Sequence, residues 1–158
     1  MLNLQGILCG IILVLVLSVF SMTGGCTSAM KTPVAPPVTS AVNGTVEKVE
    51  VYHFHGNTQC PSCIAIGNLA EKTVNENFKT DLDAGRLVFE HVNYDLPENA
   101  DRAKKYEVTG SSLWIGVYDA TGFHKQQNLA VWYLIDNESG YSQYLSAVLT
   151  KRLNGDLS

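Results

Sequence analysis

The chain has no charged side chain before Lys31, although charged residues make up 16% of its 158 residues. Within this uncharged stretch, residues 7–20 (ILCGIILVLVLSVF) form an apolar run without the spaced polar residues of a soluble amphipathic helix. The run has the length of a signal-peptide core, and extended to Gly24 it approaches the roughly 20 residues that span a bilayer. We therefore expect residues 1–26 to be a signal peptide, a lipoprotein signal or a membrane anchor.

The apolar run is followed by residues 21–26, SMTGGC, in which small residues precede a cysteine. This pattern resembles a lipoprotein processing site, where the cysteine becomes a lipid-bearing N-terminus. The match is incomplete, because Thr23 stands where leucine is usual and residues 1–6 lack Lys and Arg. We expect lipidation of Cys26, with an uncleaved helix as the alternative. Both forms attach the protein to a membrane, and we expect the domain on the outer face of the cytoplasmic membrane.

The sequence also lacks a cluster of basic residues, and its formal net charge is −4, so no nucleic-acid partner is predicted. Residues 27–45 are rich in Pro, Thr, Ser and Ala and show neither helical nor strand periodicity. This composition predicts a linker. The folded domain is expected to occupy residues 46–158.

Strand and helix patterns alternate along this domain. β-Branched and aromatic residues, or apolar residues at helical spacing, mark each segment. The predicted strands are residues 46–55, 87–94, 113–118 and 123–128, and the predicted helices are residues 61–78, 97–106 and 138–153. The order β-α-β-α-β-β-α predicts an α/β domain with a mixed sheet flanked by helices.

A C-x-x-C motif, Cys60 to Cys63, opens the first predicted helix after the first strand, and a β-α-β unit and a hairpin follow. This arrangement, together with residues 86–122, resembles the thioredoxin fold. Within that superfamily, HFHGNTQCPSC (residues 53–63) and VTGSS (residues 108–112) are most similar to nitrophenyl compound nitroreductase subunits. No flavin-binding or nicotinamide-binding signature is visible. The redox group expected here is the Cys60–Cys63 disulfide, without a further cofactor.

The start of a helix suggests different roles for the two cysteines. A helix N-terminus carries partial positive charge and free backbone N–H groups, so it stabilises a thiolate and lowers the pKa of the Cys60 thiol. Cys63 lies one turn further along and should be more buried. We therefore expect Cys60 to be the nucleophile and Cys63 to resolve the mixed disulfide. Two structural cysteines remain the alternative.

The sequence departs from the thioredoxin pattern at two positions. Ser112 stands where the resemblance places a cis-proline facing the dithiol, and Phe54 stands where it places a buried aspartate that assists proton transfer. In that family the backbone beside the proline pairs with an extended substrate, so the resemblance implies substrate binding at Ser111 and Ser112.

Histidines lie close to the dithiol in the sequence. A base could come from His53, His55 or His91, but strand alternation places His53 and His55 on the opposite face from Phe54. On that count they point away from the dithiol and are structural. As an alternative, His53, His55, Cys60 and Cys63 offer two nitrogens and two sulfurs to a metal ion.

The sequence thus predicts a membrane-attached, thioredoxin-like thiol–disulfide oxidoreductase. Its expected partners are protein or small-molecule disulfides and dithiols. Two other functions stay open, a metal-binding or metalloid-binding protein and an adaptor subunit without catalysis. The sequence does not set the direction of electron flow.

Overall fold

The computed structural model describes residues 45–158, which include the whole predicted domain. The predicted targeting segment, the Cys26 lipidation site and the predicted linker up to residue 44 lie outside the described residues. Within residues 45–158, no helix is both long and apolar enough to cross a membrane. The strands are β1 (Val46–His55), β2 (Leu87–Asn93), β3 (Ser112–Asp119) and β4 (Gly122–Gln127). The helices are α1 (Pro61–Asn77), α2 (Lys79–Asp83), α3 (Ala100–Tyr106) and α4 (Glu138–Leu153), with 3₁₀ turns at Pro97–Asn99 and Ala130–Tyr133.

This element order confirms the predicted alternation, with local differences. The short helix α2 was not predicted. It begins because Phe78, which is buried, leaves the helical conformation at φ −127° and ψ 25° and so separates α1 from α2. The segment that begins at Pro97 is a 3₁₀ turn for its first three residues and becomes α-helical at Ala100.

The four strands form one mixed sheet in the order β2-β1-β3-β4. β1 is parallel to β2 and antiparallel to β3, and β3 is antiparallel to β4. Helix α1 connects the parallel pair, since parallel neighbours need a long crossover, and a tight turn connects β3 to β4. This topology confirms the predicted α/β fold class, a thioredoxin-like mixed sheet flanked by helices.

Each face of the sheet carries its own apolar cluster. Side chains at Val49 and Val51 of β1 point to one face, where they pack with α1 and α4. Side chains at Tyr52 and Phe54 point to the other face, where Tyr106 of α3 covers them. We call these the α1 face and the α3 face. Because successive strand residues alternate between faces, every β1 side chain can be assigned to one of them.

Candidate active site

The dithiol lies where β1 ends and α1 begins. After β1, residues 56–59 lead to Cys60, which is the N-cap of α1, and its Sγ accepts a hydrogen bond from the Cys63 backbone N–H at 3.1 Å. Pro61 occupies the first helical position, where a backbone N–H would have no partner within the helix. The first turn of α1 contains no acidic residue. The positive end of the helix dipole therefore acts on the Cys60 sulfur without a competing carboxylate from that turn.

Cys60 and Cys63 are joined in a disulfide, with 5.0 Å between their Cα atoms. Cys60 is exposed, whereas Cys63 is half-buried, and the following Ile64 is an exposed apolar residue. An incoming thiol or disulfide can therefore reach Cys60 more easily than Cys63.

Polar residues at the end of β2 hold the loop that leads to the dithiol. Asp95 Oδ2 accepts the backbone N–H of Asn57 at 2.7 Å, and Asn93 Nδ2 donates to Asn57 Oδ1 at 2.8 Å. The Asp95 N–H in turn donates to Asn93 Oδ1 at 3.0 Å. Sequence reasoning did not find this group, although the parallel pairing of β1 with β2 brings the two strand ends to one edge of the sheet.

The predicted substrate-binding serines lie at the start of β3, on the sheet edge where β1 runs towards the dithiol. Ser112 pairs with Phe54 in the register between β3 and β1. The Ser112 side chain is buried; its hydroxyl donates to Gly110 O at 2.8 Å and accepts from Trp114 Nε1 at 3.0 Å. These bonds engage the Ser112 hydroxyl, so a substrate paired at this position would have to use the backbone. Ser111, which is half-buried, precedes the strand.

His53 lies on the α1 face, and here the prediction from the sequence was wrong. Strand alternation does place His53 opposite Phe54, but α1, which carries the dithiol, packs against the face of His53. The ring lies against Gly67 of α1, where a Cβ atom would come within 2.3 Å of His53 Nδ1. His53 therefore points towards the dithiol helix instead of away from it.

The ionisation of His53 is strongly affected by this position. Burial, and to a smaller extent the rings of His91 and His55, lower its pKa from 6.5 to about 4. The Cys63 backbone raises the pKa and is the weakest of these influences. His53 is consequently neutral at neutral pH.

Two further residues connect His53 to the surface. His91 Nδ1 on β2 lies 2.9 Å from His53 Nδ1, and His91 Nε2 lies 3.3 Å from Glu71 Oε2 on α1. His55 is turned to a different partner, since its Nδ1 lies 2.9 Å from Gly56 O.

Sequence reasoning named His91 as a possible base but missed Glu71. The interior glycine of α1 was an available signal for the close packing of His53, because Gly67 weakens a helix unless something packs closely there.

The alternative metal ligands predicted from the sequence were His53, His55, Cys60 and Cys63. In the part of the chain that the structure describes, no three or more His, Cys, Asp or Glu side chains are grouped so that they could hold a metal ion. The arrangement is instead that of a dithiol at a helix start, beside a buried histidine.

No protein-family model and no curated protein matches the chain. Among solved structures, a malarial protein is 20% identical to this chain, with a TM-score of 0.42. The match covers 67% of this chain and 98% of the malarial protein. A thioredoxin from Thermus thermophilus is also 20% identical, with a TM-score of 0.42. That match covers 66% of this chain and 75% of the thioredoxin. The strand order, and not these matches, defines the fold class.

Proposed function

We propose that this protein is a thiol–disulfide oxidoreductase that acts through Cys60 and Cys63. The observation that carries the proposal is the position of Cys60, an exposed residue at the N-cap of α1 whose sulfur already accepts the Cys63 N–H. A helix N-terminus stabilises the thiolate, which is the attacking form of cysteine.

In the reducing direction, the Cys60 thiolate attacks a disulfide R–S–S–R′ and forms a mixed disulfide, while R′–S⁻ leaves. Cys63 then loses its proton and attacks the Cys60 sulfur, which closes the Cys60–Cys63 disulfide and releases R–S⁻. The two thiolates take up protons, so two electrons pass from the dithiol to the substrate. The reverse sequence oxidises a substrate dithiol.

The substrates we propose are protein or small-molecule disulfides and dithiols. An extended substrate would pair with the backbone at Ser111 and Ser112, since the Ser112 hydroxyl is engaged by Gly110 and Trp114. The similarity to nitrophenyl compound nitroreductase subunits stays a prediction from two short motifs, and we attach no nitroreductase activity to it. No cofactor beyond the disulfide is proposed.

Membrane attachment is part of the proposal and rests on the sequence. The uncharged run before Lys31 and the Cys26 processing pattern support a lipid anchor or an N-terminal helix, with the domain on the outer face of the cytoplasmic membrane. Residues 27–45 would then connect the domain to its anchor.

The test is the reduction potential of the full chain, kept soluble in a mild detergent. The metal-free protein is equilibrated in glutathione or dithiothreitol buffers, and alkylation of Cys60 and Cys63 is measured by peptide mass. We expect a reversible two-electron transition. A reduction potential of about −270 mV would indicate a reductant, and one of about −120 mV an oxidant. The Cys60→Ser variant should show none. The absence of a reversible transition in the unaltered chain would exclude the exchange mechanism and favour the adaptor or metal-binding functions.

A further inference from the structure

Three side chains beside the dithiol helix form a chain of hydrogen-bonding contacts from the interior to the surface. It begins at His53 of β1, which is 2% exposed. His53 Nδ1 lies 2.9 Å from His91 Nδ1 on β2, and His91 Nε2 lies 3.3 Å from Glu71 Oε2 on α1. The side chain of Glu71 is 49% exposed, so the chain of contacts ends in solvent.

The partners of this chain determine where each ring carries its proton. An ionised Glu71 carboxylate can only accept, so His91 Nε2 must donate to it. A neutral His91 then has a lone pair on Nδ1, and His53 Nδ1–H donates to that lone pair. It follows that a neutral His53 carries no proton on Nε2. This atom is buried and has no hydrogen-bond partner among the described residues.

The free Nε2 belongs to a ring that contacts the dithiol helix directly. His53 lies against Gly67, one helical turn after Cys63, and the Cys63 backbone is near enough to the ring to influence its pKa. The position of Gly67 matters, because a side chain there would overlap the imidazole. A buried lone pair without a donor is costly unless it is used, so an orphaned nitrogen at this place needs an explanation.

Burial and two neighbouring rings, His91 on β2 and His55 on its own strand, favour the neutral form of His53, whereas the Cys63 backbone on α1 opposes it. Glu71 on α1 contacts His91, and the neighbouring residue of β3 is the apolar Leu113. A buried ring with a lowered pKa holds an added charge poorly. It can still transfer a proton if one proton enters at Nε2 while another leaves at Nδ1, since the ring then stays neutral.

We propose that His53 accepts the Cys63 thiol proton during resolution of the mixed disulfide, and that His91 and Glu71 conduct a proton to solvent. The proposal rests on the proposed function. It gives His53 the role of the aspartate that the thioredoxin pattern places where Phe54 stands. His53 takes the proton on Nε2, directly or through one water, and passes its Nδ1 proton to His91.

In the mixed disulfide Cys60–S–S–R, the Cys63 S–H bond breaks and its proton goes to His53 Nε2. The Cys63 sulfur forms a bond to the Cys60 sulfur, and the bond from Cys60 to R–S breaks, so that R–S⁻ leaves with the electron pair. His91, paired with Glu71, holds the transferred proton until solvent or R–S⁻ takes it. When substrate dithiols are oxidised, the same path returns a proton to Cys63.

The experiment mixes the reduced full chain with one equivalent of Ellman's reagent. The chain carries Cys9→Ser and Cys26→Ser, so that Cys60 and Cys63 are the thiols that react. Attack by Cys60 releases the first thionitrobenzoate at a rate that depends on reagent concentration. Resolution by Cys63 releases the second at a rate that does not. For His53→Gln at neutral pH we expect an unchanged first phase and a second phase slowed by about 100-fold. The slowed phase should rise about tenfold per pH unit, because hydroxide must then remove the proton.

His91→Gln should also slow the second phase alone, since glutamine can bond to His53 but cannot relay a proton. This variant decides the matter if His53→Gln does not fold, because the His91 side chain is 34% exposed. His124→Gln is the matched control, a histidine on the β3–β4 hairpin bonded to Asp119, and it should leave both phases unchanged. Unaltered second phases in the folded His53 and His91 variants would overturn the proton path and leave the exchange function intact. A missing second phase in the parent chain would instead count against the exchange function itself.

Discussion

At the scale of single residues, Cys60 has two roles that depend on the same geometry. Its Sγ caps α1 by accepting the N–H of Cys63, the third helical residue, and it also forms one end of the disulfide. Backbone N–H groups at a helix N-terminus bond best to an acceptor that carries negative charge. The feature that begins the helix is therefore the one that favours a thiolate at its N-cap, Cys60.

This double role makes a prediction that separates capping from chemistry. Cys60→Ser and Cys60→Ala both remove the disulfide and should both abolish exchange. Serine is a preferred N-cap residue and alanine is not, so we expect the alanine variant to unfold with a free energy lower by about 1 kcal/mol. Urea unfolding of the two variants measures the difference. Equal stabilities would mean that a side-chain acceptor at position 60 does not cap α1.

At the scale of secondary structure elements, the packing of α1 on β1 depends on a glycine. Replacing glycine with alanine inside a helix normally stabilises it by about 1 kcal/mol. At Gly67 we expect the opposite, a loss of about 1–3 kcal/mol, because the new Cβ would lie 2.3 Å from His53 Nδ1 and 2.6 Å from His53 Cε1. Equilibrium unfolding of Gly67→Ala tests the sign.

Two matched comparisons identify the cause of that loss. Gly110→Ala should change stability by less than about 0.5 kcal/mol, because no atom lies within 4 Å of a Cβ at that position. In a His53→Ala background the Gly67→Ala change should no longer be destabilising, since the ring that it overlaps is gone. A loss that persists in that background would mean that another contact, and not the imidazole, requires the glycine.

The elements were largely predictable from the sequence, and the reason is the periodicity of their apolar residues. Strand β1 was predicted with its observed bounds, and α4 likewise, because each has a clear pattern and clear end signals. Helix α2 was missed because five residues are too few to show a helical period. Its start depends on the burial of Phe78, which is a tertiary contact.

The site was predictable only in part, because pattern does not tell which face of a sheet a helix covers. Alternation correctly separated His53 from Phe54. However, both faces of β1 carry apolar residues, Val49 and Val51 on one and Tyr52 and Phe54 on the other, so α1 could have packed on either. The error about His53 arose at that step. Glu71 meets His91 through the same packing, and no local signal in the sequence announces this contact.

At the scale of the whole molecule, one sheet joins two clusters that each contain one of the two tryptophans. Trp114 packs against the α3 face and Trp132 against the α1 face. Since both clusters share the backbone of β1 and β3, a change on one face should be transmitted to the other. Single-tryptophan variants, Trp114→Phe and Trp132→Phe, allow each face to be followed by fluorescence.

Protonation of His53 is a change on the α1 face whose effect on both faces can be measured. Its pKa is about 4 in the folded protein and 6.5 when exposed, so the unfolded chain binds more protons between these values. Stability should therefore be fully present above pH 6.5 and fall as the pH drops to 4, by about 3 kcal/mol. Glu50, whose pKa is lowered from 4.5, adds to the loss only near the acid end of this window. We expect both tryptophans to report the same decline in urea unfolding, although His53 lies on the α1 face.

The control for this prediction is His53→Gln, whose side chain cannot titrate. Whatever its own stability, this variant should lose the decline of stability between about pH 6.5 and 5, as reported by the fluorescence of both tryptophans. A decline that persisted in this variant would assign the titration to another group. A decline seen at Trp132 but not at Trp114 would show that the two faces unfold separately. In that case the sheet would not couple them, and protonation next to the dithiol would loosen the α1 face while the α3 face stayed folded.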